Sequence, residues 1–401
     1  MRPWPVRLAL LAPVVTLATA AAALASGAAD RDPASPPTLQ AAAPEPRRPE
    51  AQASPDPAPP SDQEPSPASE EPQAGHAPMA QLKFFSDVRA TYVRDRDTRE
   101  GKSQFSLNEV DTLITSELTD KVQVLSEVVY HFVEETNETA LDVERLQVRY
   151  TLSKYLSLCA GRLYIPVSYW NYNFHHVIWF QTAANRPDMH RFEDDGGLLP
   201  THGVGIDAVG RLETKAADFD YTVLVSNGRH KDPGQTQVIV DQNKSKALSL
   251  YLMVSPNAAP GLSLGGSVYL DKLPTDLPGG DIRERIFSGY LTYAHDKLEF
   301  LGEYNGIRHE EPGTRQTFNT KGYYAQFAVH LGRWRPYYRY DRQDPDAHDP
   351  YFGVREDVKR HSVGVRWDVL NWNALFGEYS HRKADQGLGT HEFTLRSAFT
   401  F

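Results

Sequence analysis

Cysteine is nearly missing from this chain of 401 residues: Cys159 is the only one. A single thiol excludes an intrachain disulfide, a cysteine-based zinc site and a thiol redox pair, and no Cys-x-x-Cys-His run is present to attach haem. A basic surplus is missing too, since 42 Lys and Arg stand against 52 Asp and Glu. No nucleic-acid partner is therefore expected, because that requires a concentrated cationic face. Beyond the amino-terminal leader there is no run of roughly 18 apolar residues, so no helix is expected to cross a bilayer. Nor is there a recognisable Ser/His/Asp arrangement for nucleophilic catalysis, and no cofactor is implied.

What is present begins with an export signal. Arg2 and Arg7 precede an apolar, Ala-rich stretch from Leu8 to Leu24, and Ala23-Leu24-Ala25 forms a small-x-small cleavage site before Ser26. Residues 1–25 are expected to be a signal peptide and 26–78 a periplasmic linker. Between Asp30 and Pro78 lie 14 of the 29 prolines, among Ala, Ser, Glu and Asp. Such a stretch buries too little apolar surface to offset its ordering entropy and is expected to act as a tether. The folded part is then 79–401.

Within it, apolar residues recur at every second position. Phe393, Leu395, Ser397, Phe399 and Phe401 share one face, with Glu392, Thr394, Arg396 and Thr400 on the other. His361, Val363, Val365 and Trp367 oppose Arg360, Ser362, Arg366 and Asp368, and Leu248, Leu250, Leu252 and Val254 oppose Ser249 and Tyr251. A period of two means strands with one face in an apolar medium and one in a polar medium. Sixteen such segments are expected: 81–94, 103–118, 122–134, 140–153, 156–167, 202–213, 218–228, 246–256, 261–271, 283–295, 297–308, 321–332, 334–343, 359–370, 372–382 and 390–401. Tight turns such as Thr119-Asp120-Lys121 and His295-Asp296-Lys297 alternate with long charged connections such as 229–245 and 344–358. An even strand count with short turns on one side and long loops on the other marks an outer-membrane β-barrel. The fold class is all-β, and a barrel of about 16 strands keeps an open lumen.

The inward face is expected to be charged. Arginines concentrate on the last four strands, where Arg335, Arg339, Arg360, Arg366 and Arg396 form a candidate pore wall. Unpaired, they favour anions; paired with Asp341, Asp368 and Glu392, much of that field cancels. The most unusual stretch is Gly161 to Gly205, the third long connection. Its aromatic density, through Tyr169, Trp170, Tyr172, Phe174, Trp179 and Phe180, is too high for a loop lying in water. These side chains need a surface, and the inner wall of the barrel supplies one.

A chain that ends in Phe401 after Phe393, Leu395 and Phe399 resembles the carboxy-terminal assembly signal of Gram-negative outer-membrane porins. The strand order, Gly161-Arg162 followed by Pro166, and the long third loop are similar to the phosphate-selective and related porins. The resemblance implies that Tyr169, Trp170, Phe174, Trp179 and Phe180 anchor a loop folded into the lumen. It also implies a constriction at Tyr169, Trp170, His175, His176, Arg186, His190, Glu193, Asp194 and Asp195. The chain departs from the phosphate-selective pattern in lacking a lysine cluster there, so phosphate is not assigned as substrate. Expected partners are outer-membrane lipids, the barrel assembly machinery and small hydrophilic solutes or ions. Both termini are expected in the periplasm, and the resemblance favours a homotrimer, although no residue fixes the number.

His175, His176, His190 and His202 with Glu193 to Asp195 have the chemistry of a zinc, nickel or copper site. Without a fixed spacing they are expected to hydrogen-bond or line the pore, and no metal is assigned. Two other functions compete with the channel: a sheath around a partner protein, and an envelope enzyme built on a barrel.

Overall fold

The alternating strands satisfy both of their faces by closing into a cylinder. The structure is a computed structural model that describes residues 79–401, except 134–137, 175–176, 237, 239, 354 and 385–386. The leader 1–25, the linker 26–78 and the pair His175–His176 lie outside the described residues. Among those described, sixteen strands follow one another. The first eight are β1 (Ala80–Asp95), β2 (Gly101–Thr119), β3 (Val122–Val133), β4 (Glu138–Ser153), β5 (Leu156–Tyr164), β6 (His202–Glu213), β7 (Ala217–Ser226) and β8 (Ala247–Pro256). The rest are β9 (Leu262–Leu273), β10 (Ile282–His295), β11 (Leu298–Glu310), β12 (Thr317–Val329), β13 (Trp334–Asp344), β14 (Val358–Leu370), β15 (Asn373–Ala384) and β16 (Thr390–Thr400). Each is antiparallel to its neighbours, and β1 closes on β16 with Val88 opposite Ser397. Closure matters in hydrocarbon, where an open edge leaves backbone groups with no partner.

The strand count matches the sequence expectation, and two boundaries correct it. β5 stops at Tyr164 rather than 167, because the chain turns inward at Ile165 and Pro166, and proline cannot donate to a ladder. β12 starts at Thr317 rather than 321, since Phe318 and Thr320 continue the alternation opposite His309 and Ile307. The connections 120–121, 154–155, 214–216, 257–261, 296–297, 330–333 and 371–372 share one end of the barrel with Ala80 and Thr400. The opposite end carries the long ones, 165–201, 227–246 and 345–357.

The outer surface is apolar. Val88, Ile206, Val225, Leu250, Leu252, Phe287, Leu291, Val363 and Leu395 are all exposed, far more contiguous apolar surface than water tolerates. Aromatic rings sit toward each rim. Trp334 stacks on Trp367 at 4.7 Å and Phe84 on Phe401 at 5.1 Å near the short turns, while Tyr379 meets Phe393 at 4.9 Å toward the long loops. Such girdles bracket the lipid-facing band of a membrane barrel. Phe393, Leu395 and Phe401 point outward on this surface, and Phe399 contacts Phe401 at 6.3 Å.

Candidate functional site

Two glycines shape the third loop, which runs through 165–201. Gly161 has φ 139°, and a Cβ there would lie 2.0 Å from the Leu146 carbonyl oxygen; at Gly197 it would lie 1.8 Å from that of Arg191. Only glycine permits either approach. The loop holds a short helix α1 (Tyr169–Asn173) and two 3-10 turns, Ile178–Phe180 and Asp188–His190. Ser168 Oγ accepts the Asn171 N–H at 3.3 Å and starts the helix.

One side of the loop packs on the middle strands. Glu303 of β11 accepts the backbone N–H groups of Tyr169 and Trp170, the second at 3.2 Å, and meets His190 Nε2 at 2.6 Å with both side chains fully buried. Trp170 is enclosed by Phe174 at 4.8 Å and Tyr324 at 5.6 Å. Met189, Leu198 and Leu199 join Leu163, Ile165 and Ile286 in a continuous core. Each such side chain contributes roughly 1.5–3 kcal/mol by leaving water. Sequence reasoning expects all of these aromatics, Phe180 included, to be buried, and Phe180 departs from that. Phe180 remains 48% exposed, its ring 5.5 Å from Phe85, because the 3-10 turn aims it away from the packed side; Trp179 is half-buried beneath Arg366.

The arginine wall holds the other side. Arg366 Nη1 donates to the carbonyls of Trp179 (2.6 Å) and Gln181 (2.5 Å), and Arg396 Nη1 to that of Ala184 (2.7 Å). Arg339 donates to the carbonyls of Asn185 and Arg186, and Arg360 Nε lies 3.2 Å from the Asp188 carboxylate. Their remaining faces pair with acids: Arg339 with Asp341 and Arg366 with Asp368, each within 2.9 Å, and Arg396 with Asp87 at 2.9 Å. Arg335 alone of the five is half-buried, and it too meets Asp368. All five face inward as expected, but four of them clamp the loop. Burial opposes ionisation of Asp188, yet Arg360, Arg191 and Arg382 hold its carboxyl below the ordinary range.

The residues proposed for the constriction divide accordingly. Tyr169, Trp170, His190 and Glu193 are buried in the loop's packing, so they position it rather than face open water. Asp194 and Asp195 are exposed, and Arg186 is half-buried with its guanidinium 3.9 Å from the centre of the Phe192 ring. Burial pushes Arg186 down to about 10. Burial likewise raises Glu193 to about 6, against the pull of Arg229 and a 2.7 Å hydrogen bond from Thr201. The two described histidines do not converge: His190 pairs with Glu303, and His202 Nε2 with Glu144 of β4. Sequence reasoning missed Asp188, the carboxylate that gathers Arg191, Arg360 and Arg382. An acid inside the loop opposite an arginine-rich wall was the available signal.

Burial within the lumen is lopsided. On β10 to β13 the inward side chains, including Ile286, Tyr290, Glu303, Tyr324, Gln326 and Arg339, are buried. On β1 to β4 the inward Arg89, Thr91, Gln104, Ser106, His131, Asp142 and Arg149 stay half-buried. The loop fills the first side; on the second, where Asp87, Glu109, Asp111, Glu127, Val129 and Glu144 are also buried and Phe180 reaches Phe85 of β1, only part of the wall is left accessible. Toward the long-loop end the loop also borders a cavity of about 210 Å³ lined by Asp188, Arg191, Asp195, Arg355, Glu356 and Arg382.

No family model matches the chain, and no curated protein matches it. Solved structures do. An anion-selective porin from Comamonas acidovorans superposes with a TM-score of 0.59 at 11% identity, over 81% of this chain and 100% of that one. The outer membrane channel DcaP of Acinetobacter baumannii gives 0.58 at 13% identity, over 82% and 99%. A trimer form of OmpT, an outer membrane protein of Vibrio cholerae, gives 0.52 at 10% identity, over 80% and 99%. The closed sixteen-stranded barrel with its lipid-type exterior therefore has the fold of the outer-membrane porins.

Proposed function

We propose that the chain is an outer-membrane channel through which small hydrophilic solutes and ions diffuse along the β1–β4 side of the lumen. The observation that carries this reading is the asymmetric burial: polar, half-buried side chains on β1 to β4 face a loop held against the opposite wall. Water that wets such side chains offers a continuous polar path, and a pore needs no catalytic group. The tight-turn end, which carries both ends of the barrel, is taken to face the periplasm, in line with the export signal. A homotrimer draws support from the trimeric Vibrio cholerae neighbour.

Any anion preference is mild. The anion-selective neighbour favours it. Against it, the wall arginines are engaged by loop carbonyls and acids, which cancels most of their field. Single-channel recording in planar bilayers tests the channel: purified protein gives stepwise conductance, and silence over repeated insertions refutes it. The reversal potential in a salt gradient then reads the preference.

A further inference from the structure

Beside the accessible side of the lumen, away from the loop anchors, three potential ligands converge on adjacent strands. His131 of β3 pairs with Ala140 and its neighbour Val129 with Asp142, so His131 and Asp142 are diagonal neighbours on the inner face. Their Nε2 and Oδ2 atoms lie 3.3 Å apart. Glu144 joins them through a bulge: pairing steps from Glu127–Arg145 to Val128–Val143, leaving Glu144 as the extra residue. A bulge re-aims side chains, and here both Glu144 and Arg145 turn inward. Arg145 goes to Glu127 at 2.5 Å, and Glu144 turns toward the same face. One ligand atom from each of His131, Asp142 and Glu144 lies within 4.8 Å of the other two.

We propose that His131, Asp142 and Glu144 bind a divalent transition-metal ion of the zinc type on the lumen wall. Zinc bonds of roughly 2.0–2.2 Å to nitrogen and oxygen set neighbouring tetrahedral ligands about 3.3 Å apart, the spacing of His131 and Asp142. An imidazole with two carboxylates suits zinc better than magnesium or calcium, which take oxygen alone. The outer shell has the form of a built site. Glu109 Oε2 lies 3.8 Å from His131 Nδ1, on the side of the ring away from Asp142, within ion-pair reach and beyond hydrogen-bond distance. Glu144 is held by His202 Nε2; His202 Nδ1 is 3.1 Å from Thr201, which bonds Glu193. Glu109, Asp142, Glu144 and Glu193 gather here, within the fields of Arg162, Arg186 and Arg229. His131 and Asp142 are 24% and 28% exposed, which leaves a way in for the ion. Because His202 opens β6 where the third loop rejoins the wall, the ion would tie the loop's root to β3 and β4. The site goes beyond the channel reading and does not depend on conduction.

The test is calorimetric titration of zinc into untagged, full-length, detergent-purified protein, with cobalt as a spectroscopic probe. One zinc per chain is expected, and cobalt is expected to show the visible absorption of a low-coordinate nitrogen–oxygen site. His131→Ala and Asp142→Asn should each weaken zinc at least about tenfold and remove the cobalt spectrum. Heat-resistant gel migration shows that each variant is an assembled barrel, and the half-exposed Asp142 provides the milder change. Absence of stoichiometric zinc binding by the wild type, or equal binding by wild type and both assembled variants, overturns the proposal.

Discussion

Arg339 Nη1 donates to the Asn185 carbonyl at 2.6 Å while its Nε holds Asp341 at 2.9 Å, so one guanidinium joins the loop to the wall and neutralises an acid of β13. Arg339→Ala removes both contacts and leaves Asp341 buried without that partner. Breaking a buried pair this way costs roughly 3–5 kcal/mol. The variant should assemble less stably and conduct with larger, noisier steps as the loop loosens, with little change in reversal potential. Single-channel recording of Arg339→Ala beside wild type checks this; a large selectivity change would return the arginines to a direct role with permeant ions.

Glu303 of β11, two strands from Arg339 on the same side of the barrel, anchors the loop by accepting from Tyr169, Trp170 and His190. Glu303→Ala leaves three buried donors without an acceptor, at about 1–3 kcal/mol each. A lower denaturation temperature and faster proteolysis between 165 and 201 are expected. Glu303→Gln, which keeps an acceptor oxygen, should lie between the two.

Much of this was legible beforehand, for reasons particular residues make plain. Period-two alternation through Phe393 to Phe401 depends only on which side chains face lipid, so strand number and facing follow from sequence. Burial of Trp170 was legible because a large aromatic in a long loop needs a surface. The partners were not. That Arg366 meets the Trp179 and Gln181 carbonyls depends on how deep the loop reaches, and backbone acceptors carry no sequence signature. Nor can sequence bring His131 to Asp142 and Glu144, because that meeting depends on strand register and a single bulge.

Glu193 carries a pH dependence. Its folded carboxyl titrates near 6 against an ordinary value of 4.5. Between these values the folded protein keeps a proton that the unfolded chain has released, so stability falls as pH rises through the interval and levels off above it. The loss is about 2 kcal/mol. Glu193→Gln should flatten the dependence and be the more stable form at pH 7. Denaturation midpoints of both proteins across this pH range measure it, and parallel curves would remove Glu193 as the cause.

Phe401 exchanges both backbone hydrogen bonds with Phe84, at 3.0 and 3.1 Å, while its ring is 71% exposed on the outer face. Beyond its 5.1 Å stack on Phe84 an exposed ring adds little to the finished barrel, and we propose that the assembly machinery reads it before closure. Phe401→Ala should therefore reduce the amount of barrel assembled in cells without shifting the thermal stability of what does assemble. Quantitative outer-membrane blots and melting of the purified variant separate the two effects.

The central claim is that solutes pass between the third loop and the β1–β4 wall. Ser106 lies on that wall, half-buried, 3.3 Å from Arg89 Nε. The most direct measurement is single-channel conductance of Ser106→Cys before and after reaction with a bulky, water-soluble thiol reagent, with the wild type and its buried Cys159 as control. The account predicts stepwise conductance that drops sharply on modification in the variant alone. Absence of steps, or steps unchanged after complete modification, would contradict it.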